Sequence, residues 1–196
     1  MSTSLPESSL LRFVKLANNQ YNIQFQLENN HIQLVNIVDF SMIKLIYQLN
    51  NDIFENIQMH QINDTEAIVL LLLKPLFQDL GIPQKVAYFR ICKQVDLHKI
   101  TFVSRSIEQQ PQLLSVGQQE PLPLSLELAT ILSTGAELVA MRENIGVCEI
   151  ESPHKINVSF TICFEETLQL PHFAEKLIRL VFNKLFKRVK QFIEMA

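Results

Sequence analysis

Glycine is scarce in this sequence. Gly81, Gly117, Gly135 and Gly146 are the only four in 196 residues, and no two lie close together. Phosphate-cradling loops need clustered glycines so that backbone N–H groups can approach the ligand, which argues against nucleotide folds built on such turns. Cysteine is equally sparse. Cys92, Cys148 and Cys163 are odd in number, far apart and each set inside an apolar run. That pattern suits buried free thiols in a reducing compartment rather than a disulfide framework. No run reaches the roughly 18 apolar residues of a membrane span. Met1 to Ser9 is polar rather than a signal peptide. The chain is therefore expected to be soluble and intracellular, nuclear or cytoplasmic.

Charge is also thin. Charged residues are 19% of the chain and the net charge is −3, so the whole molecule does not advertise a nucleic-acid partner. The five histidines are far apart, with no spacing of metal-ligand type, and no metal or cofactor is expected. Glu165 and Glu166 are adjacent carboxylates at a strand end, beside no nucleophile or base, and read as solvent or helix-entry charges. No catalytic constellation emerges, so binding is expected rather than catalysis.

What the sequence does have is patterned apolar content, 47% of residues, ample for a packed core. Tyr21 to Glu28 alternates apolar and polar as a half-buried strand should. Asn29-Asn30 tolerates the positive φ of a tight hairpin, which predicts a return strand over His31 to Val38. Further strand-like runs are Met42 to Leu49, Phe54 to Ile62, Ala67 to Leu73, Lys85 to Lys93 and Lys99 to Ser106. Such a meander buries one face and leaves the other in water. Ahead of it, Leu10 to Ala17 reads as a short helix ended by Asn18-Asn19. Pro75 would break a helix running through Ala67 to Leu73, which favours a strand there and a short helix over Leu76 to Leu80.

Composition shifts at Ile107. Residues 107–120 are Gln-rich, flanked by Pro111 and Pro121, and read as a connector between a β-rich domain at 1–106 and a shorter β-rich segment at 121–196. In that segment strands are expected over Leu124 to Leu132, Glu137 to Met141, Val147 to Glu151 and Lys155 to Phe164. A long helix follows, with Pro171 in its first turn. At 100° per residue Ile178, Val181, Phe182, Leu185, Val189, Phe192 and Ile193 gather on one side of it. Lys176, Arg179, Asn183, Lys187 and Lys190 gather on the other. The fold class is thus α+β: antiparallel meander sheets, a few short helices and a long C-terminal amphipathic helix.

The order of these elements resembles the sliding-clamp family, the proliferating cell nuclear antigen and its relatives, and most closely the HUS-type subunit of the nine-one-one checkpoint clamp. The likeness rests on Leu10 to Ala17, Asn22 to Leu34, Ile53 to Met59 and Thr65 to Leu80, about residues 8 to 106. A full clamp subunit has a second domain about as long as its first, whereas only residues 121–196 follow the connector. The resemblance implies a non-enzymatic DNA-associated scaffold in replication or the damage response, assembled with partner subunits in a homo- or hetero-oligomer. It also implies inward helices whose cations meet the DNA backbone without reading bases. The matching positions are Arg12, Lys15 and Lys74, joined by Lys184, Lys187 and Arg188 from the C-terminal helix.

A second reading comes from the end of the chain. The strand Lys155 to Phe164 followed by a long helix suits a helix-grip module, in which the helix closes an apolar ligand site against a curved sheet. The two readings part at the connector: a clamp makes it bridge two sheets, and a helix-grip fold makes it a loop within one.

Overall fold

The computed structural model describes residues 11–75, 78–107, 123–169 and 172–196. Among them nine strands and three α-helices make an α+β fold. The strands are β1 (Arg12–Ala17), β2 (Gln20–Glu28), β3 (Phe54–Asn63), β4 (Glu66–Leu73), β5 (Lys85–Asp96), β6 (Lys99–Ser106), β7 (Glu137–Leu138), β8 (Met141–Ser152) and β9 (Lys155–Phe164). The helices are α1 (Phe40–Gln48), α2 (Ser125–Ser133) and α3 (His172–Met195). All nine strands share one sheet in the order β1-β2-β9-β8-β6-β5-β4-β3, antiparallel except for the short β7, which runs parallel to β5.

Several expectations from local pattern give way. Residues 12–17 form an edge strand rather than a helix, and Asn18-Asn19, with Asn19 at φ 55°, makes the tight turn into β2. An asparagine tolerates that left-handed geometry better than most residues, so the hairpin forms at the first Asn pair rather than the second. Asn29 instead becomes an anchor. Its Oδ1 accepts from the His31 and Ile32 amides at 2.7 and 2.8 Å, and its Nδ2 donates to the Ile193 carbonyl at 2.6 Å. The chain then loops through a 3-10 turn at Leu34–Asn36 in place of the expected return strand.

Met42 to Gln48 lies in α1 with Leu49 as its C-cap, and Ser125 to Leu132 lies in α2 with Leu124 as its N-cap, both stretches expected as strands. Asp39 starts α1 as an N-cap, its carboxylate accepting from the Ser41 amide at 2.7 Å. Of the helix expected over Leu76 to Leu80, a 3-10 turn at Gln78–Leu80 is described.

Alternation along the strands divides the side chains between two faces. The inner face carries Ile23, Phe25 and Leu27 of β2, Ile156 and Val158 of β9, and Val69 and Leu71 of β4, covered by α1 and α3. The outer face is buried only at one end, where α2 brings Leu128, Ile131 and Leu132 against Ile68, Leu70 and Leu72 of β4 and Val86 and Tyr88 of β5. β4 is therefore sandwiched on both faces, which is why its sequence is a continuous apolar run. Strands on either side of the expected connector pair directly, β6 with β8 and β2 with β9. The connector at 107–120 itself lies outside the described residues apart from Ile107.

Candidate functional site

The inner face gains its cover from α3, which presses aromatic rings onto it. Phe186 lies 5.4 Å, ring centre to centre, from Phe25 and 5.2 Å from Phe160, and Phe182 lies 6.3 Å from Phe186 and 6.5 Å from Phe160. Such pairs add to ordinary burial when offset or tilted.

Polar latches fix the helix along its length. Near its start, Glu175 accepts from Lys15 of β1 at 2.5 Å. In its middle, Arg188 forms a bidentate pair with Asp52, whose carboxylate also meets Lys184 at 2.5 Å. Asn29 holds its end through the Ile193 carbonyl. Hydrogen bonds from Arg188 and then Lys184 hold the Asp52 carboxyl well below the usual carboxylate range. The buried Lys190 ammonium donates to the Gln26 carbonyl at 2.6 Å and pairs with Glu194. The helix is thus rotated from the stripe expected of it: Lys190 and Phe186 face the sheet, while Phe192 is 47% exposed.

Beneath the helices the sheet offers an apolar floor. Phe160, Gly146 and Phe102 stand opposite one another on β9, β8 and β6. Gly146 keeps this row low: a Cβ there would meet the Phe160 ring at 3.4 Å and the Phe102 Cβ at 3.9 Å. Phe40 of α1 closes edge-on over Phe102, with ring centres 6.0 Å apart. Phe102, Phe160 and Phe182 face inward yet are only half-buried, so part of their ring surface stays accessible.

One step along the strands the floor turns polar. Asn144 of β8 and Ser104 of β6 are direct cross-strand neighbours, between Ile162 and Ile91 in the same row. Ser104 is buried, and the Asn144 Oδ1 is buried with no hydrogen-bond partner among the described residues. A buried acceptor left unpaired typically costs about 1–3 kcal/mol. Beyond the floor, a cleft of about 320 Å³ lies between α1 and β3, lined by Lys44, Tyr47, Phe54, Ile57 and Met59 among others.

Burial pushes the Cys148 thiol up to about 12, which disfavours the thiolate. Among the described residues no three His, Cys, Asp or Glu side chains are placed to hold a metal ion.

The six cations expected at DNA are spread over β1, the end of β4 and α3. Arg12 and Lys15 alternate along the edge strand β1, so they point to opposite faces, and Lys15 is tied to Glu175. Lys74 follows β4, its amide bonded to the Ile53 carbonyl. Lys184 and Arg188 share the single Asp52 carboxylate, and Lys187 is exposed on the outer side of α3. The residues that matter more for a site, Phe102, Ser104, Asn144, Gly146, Phe160 and Phe182, were not singled out from sequence as a group. Only the strong alternation of β9 and the helix after it pointed their way.

No family model and no curated protein matches the sequence. Solved structures do match the fold. The lipid transfer and protein localization domain of human StarD13 (DLC2) superposes at a TM-score of 0.61 with 13% identity, covering 95% of this chain and 84% of that one. Human STARD10 does so at 0.58 with 5% identity, covering 93% and 72%. A STAR-related lipid transfer protein fragment from Xanthomonas axonopodis does so at 0.57 with 9% identity, covering 93% and 98%. At these identities the likeness is one of fold: a helix-grip fold, with α3 laid across a single antiparallel sheet.

The sliding-clamp resemblance is thereby corrected. A clamp subunit needs two sheets bridged by a connector and helices facing DNA. This chain has one continuous sheet, a strand where the first such helix was expected, and neighbours that are STAR-related domains. The expected DNA partner, damage-response role and clamp partners fall with it. No described helix is long and apolar enough to cross a membrane.

Proposed function

We propose that the chain is a non-enzymatic binding or carrier module for an apolar, lipid-like ligand held between α3 and the inner face of the sheet. The observation that carries this reading is the incomplete cover of inward-facing rings: Phe102, Phe160 and Phe182 keep accessible surface beneath elements packed to shield them. Ligand sites of this kind are mostly apolar and largely pre-formed, with a few placed polar groups. Several proteins of the same fold are named for lipid transfer, which supports the reading by analogy of fold. Unbridged cysteines at 92, 148 and 163 suit work in a reducing, intracellular setting.

The test is to incubate the purified chain with a total lipid extract, re-isolate it by gel filtration and weigh it by native mass spectrometry. A defined lipid adduct that Gly146→Leu lowers about tenfold is the expected result, because the leucine would occupy the space beside Phe160 and Phe102. A bare mass after exposure to neutral, zwitterionic and anionic lipids alike would overturn the proposal.

A further inference from the structure

We propose that Ser104 and Asn144 anchor the polar end of the ligand and select a neutral, apolar molecule carrying a hydroxyl group. This rests on the carrier reading above and sharpens it to a ligand class. The neighbours that flank these two residues across the sheet are apolar and closely buried: Ile162 beside Asn144 is 1% exposed, and Ile91 beside Ser104 is 2% exposed. Among the described residues, neither of these two facing polar side chains has an oxygen or nitrogen partner. The Asn144 amide nitrogen approaches only the Met141 sulfur, at 2.7 Å, and thioether sulfur is a weak acceptor. Its Oδ1 has no donor among the described residues. A ligand hydroxyl would give that oxygen a donor, while the Ser104 hydroxyl beside it can accept or donate to the same group.

The charges argue for neutrality. A carboxylate or phosphate needs a facing cation. On the inner face the nearest in register is Lys93, opposite Phe102, and its ammonium lies 5.5 Å over the Phe40 ring beneath α1. Lys15, on the same face near the start of α3, is already paired with Glu175. The anchor therefore offers hydrogen bonds and no net charge. The half-buried rings of Phe102 and Phe160, one row away, receive the hydrocarbon body.

Three fluorescent probes test this on the full chain: 12-(1-pyrenyl)dodecanol, its methyl ether and 12-(1-pyrenyl)dodecanoic acid. The alcohol should bind about tenfold more tightly than the ether, the worth of roughly one hydrogen bond to an acceptor otherwise left buried and unpaired. Asn144→Leu should bring the alcohol-to-ether ratio to about one and raise Tm, since it removes the unpaired atom. Ser104→Ala, the smaller change, should lower the ratio about threefold and covers the case in which the leucine variant does not fold. Equal binding of alcohol and ether to the unaltered chain overturns the anchor while leaving the carrier reading intact. So does preference for the acid that Lys93→Met abolishes. Failure of all three probes to bind overturns both.

Discussion

β4 and β2 are both core strands of one sheet, and they are stabilised in different ways. β4 is covered twice, by α1 on its inner face and by α2 against Ile68, Leu70 and Leu72 on its outer face. β2 is covered once. Its inner residues Tyr21, Ile23, Phe25 and Leu27 are buried, whereas Gln24 and Glu28 on the outer face are exposed. There the outer face is held by side-chain hydrogen bonds, Asn22 donating to the Ser159 and Thr161 hydroxyls at 2.9 and 2.8 Å. The comparison teaches where the molecule is able to open. The three-layer end around β4 is a scaffold, and the two-layer end around β2 depends on a single helix held by rings and latches.

The comparison breaks most sharply at Phe186, which joins α3 to β2 and β9. Phe186→Ala should cost about 3–5 kcal/mol and abolish ligand loading together with stability, read by urea denaturation and native mass spectrometry. Leu70→Ala, in the outer layer beneath α2, should cost about 2–4 kcal/mol. Because it touches only the scaffold, loading should persist below the lowered Tm. Loss of loading in the folded Leu70→Ala variant would show that the two layers are not separable.

The Asp52 latch is a finer test. Its carboxyl titrates lower in the folded chain than in the unfolded one, so the stability it lends is complete above the ordinary carboxylate value of about 4 and fades as pH falls below it. Since Asp52 is partly exposed, the latch should be worth only about 0.5–1 kcal/mol. Asp52→Asn should therefore unfold at lower urea than the unaltered chain at pH 7, with the gap closing towards pH 3. A gap constant across that range would mean the ion pairs contribute nothing. Smallest of all, Gln24→Ala on the open outer face of β2 should stay within about 0.5 kcal/mol.

Much of this contrast was written in the sequence. Alternation placed β2, β3 and β9, and the uninterrupted run before Pro75 placed β4, because side-chain period and burial are coupled directly in strands. The helices α1 and α2 depart from the expected strands for the converse reason. Both are short and apolar, and such segments fit either period. Leu128, Ile131 and Leu132 at helical spacing and Asp39 at the cap position were the signals available. The amphipathic helix was legible and its rotation was not, because Lys190 turns inward only when the Gln26 carbonyl is there to receive it. The polar pair in the floor was hidden for a similar reason. Ser104 and Asn144 are far apart in the chain, and only strand register makes them neighbours.

The strand order has a consequence for how the chain is made. β2 pairs along its whole length with β9, joining Gln20 to Cys163 and Glu28 to Lys155. An N-terminal hairpin that leaves the ribosome early must wait for its partner until nearly the whole chain has followed, about 7–30 s at ordinary rates of synthesis. Through that interval the backbone edge of β2 and its row of Tyr21, Ile23, Phe25 and Leu27 have no lasting cover. Closing so distant a pair also makes the last step of folding slow, since loop closure precedes the contacts that reward it. Lasting protection of the β2 amides should therefore coincide with the emergence of β9 and α3.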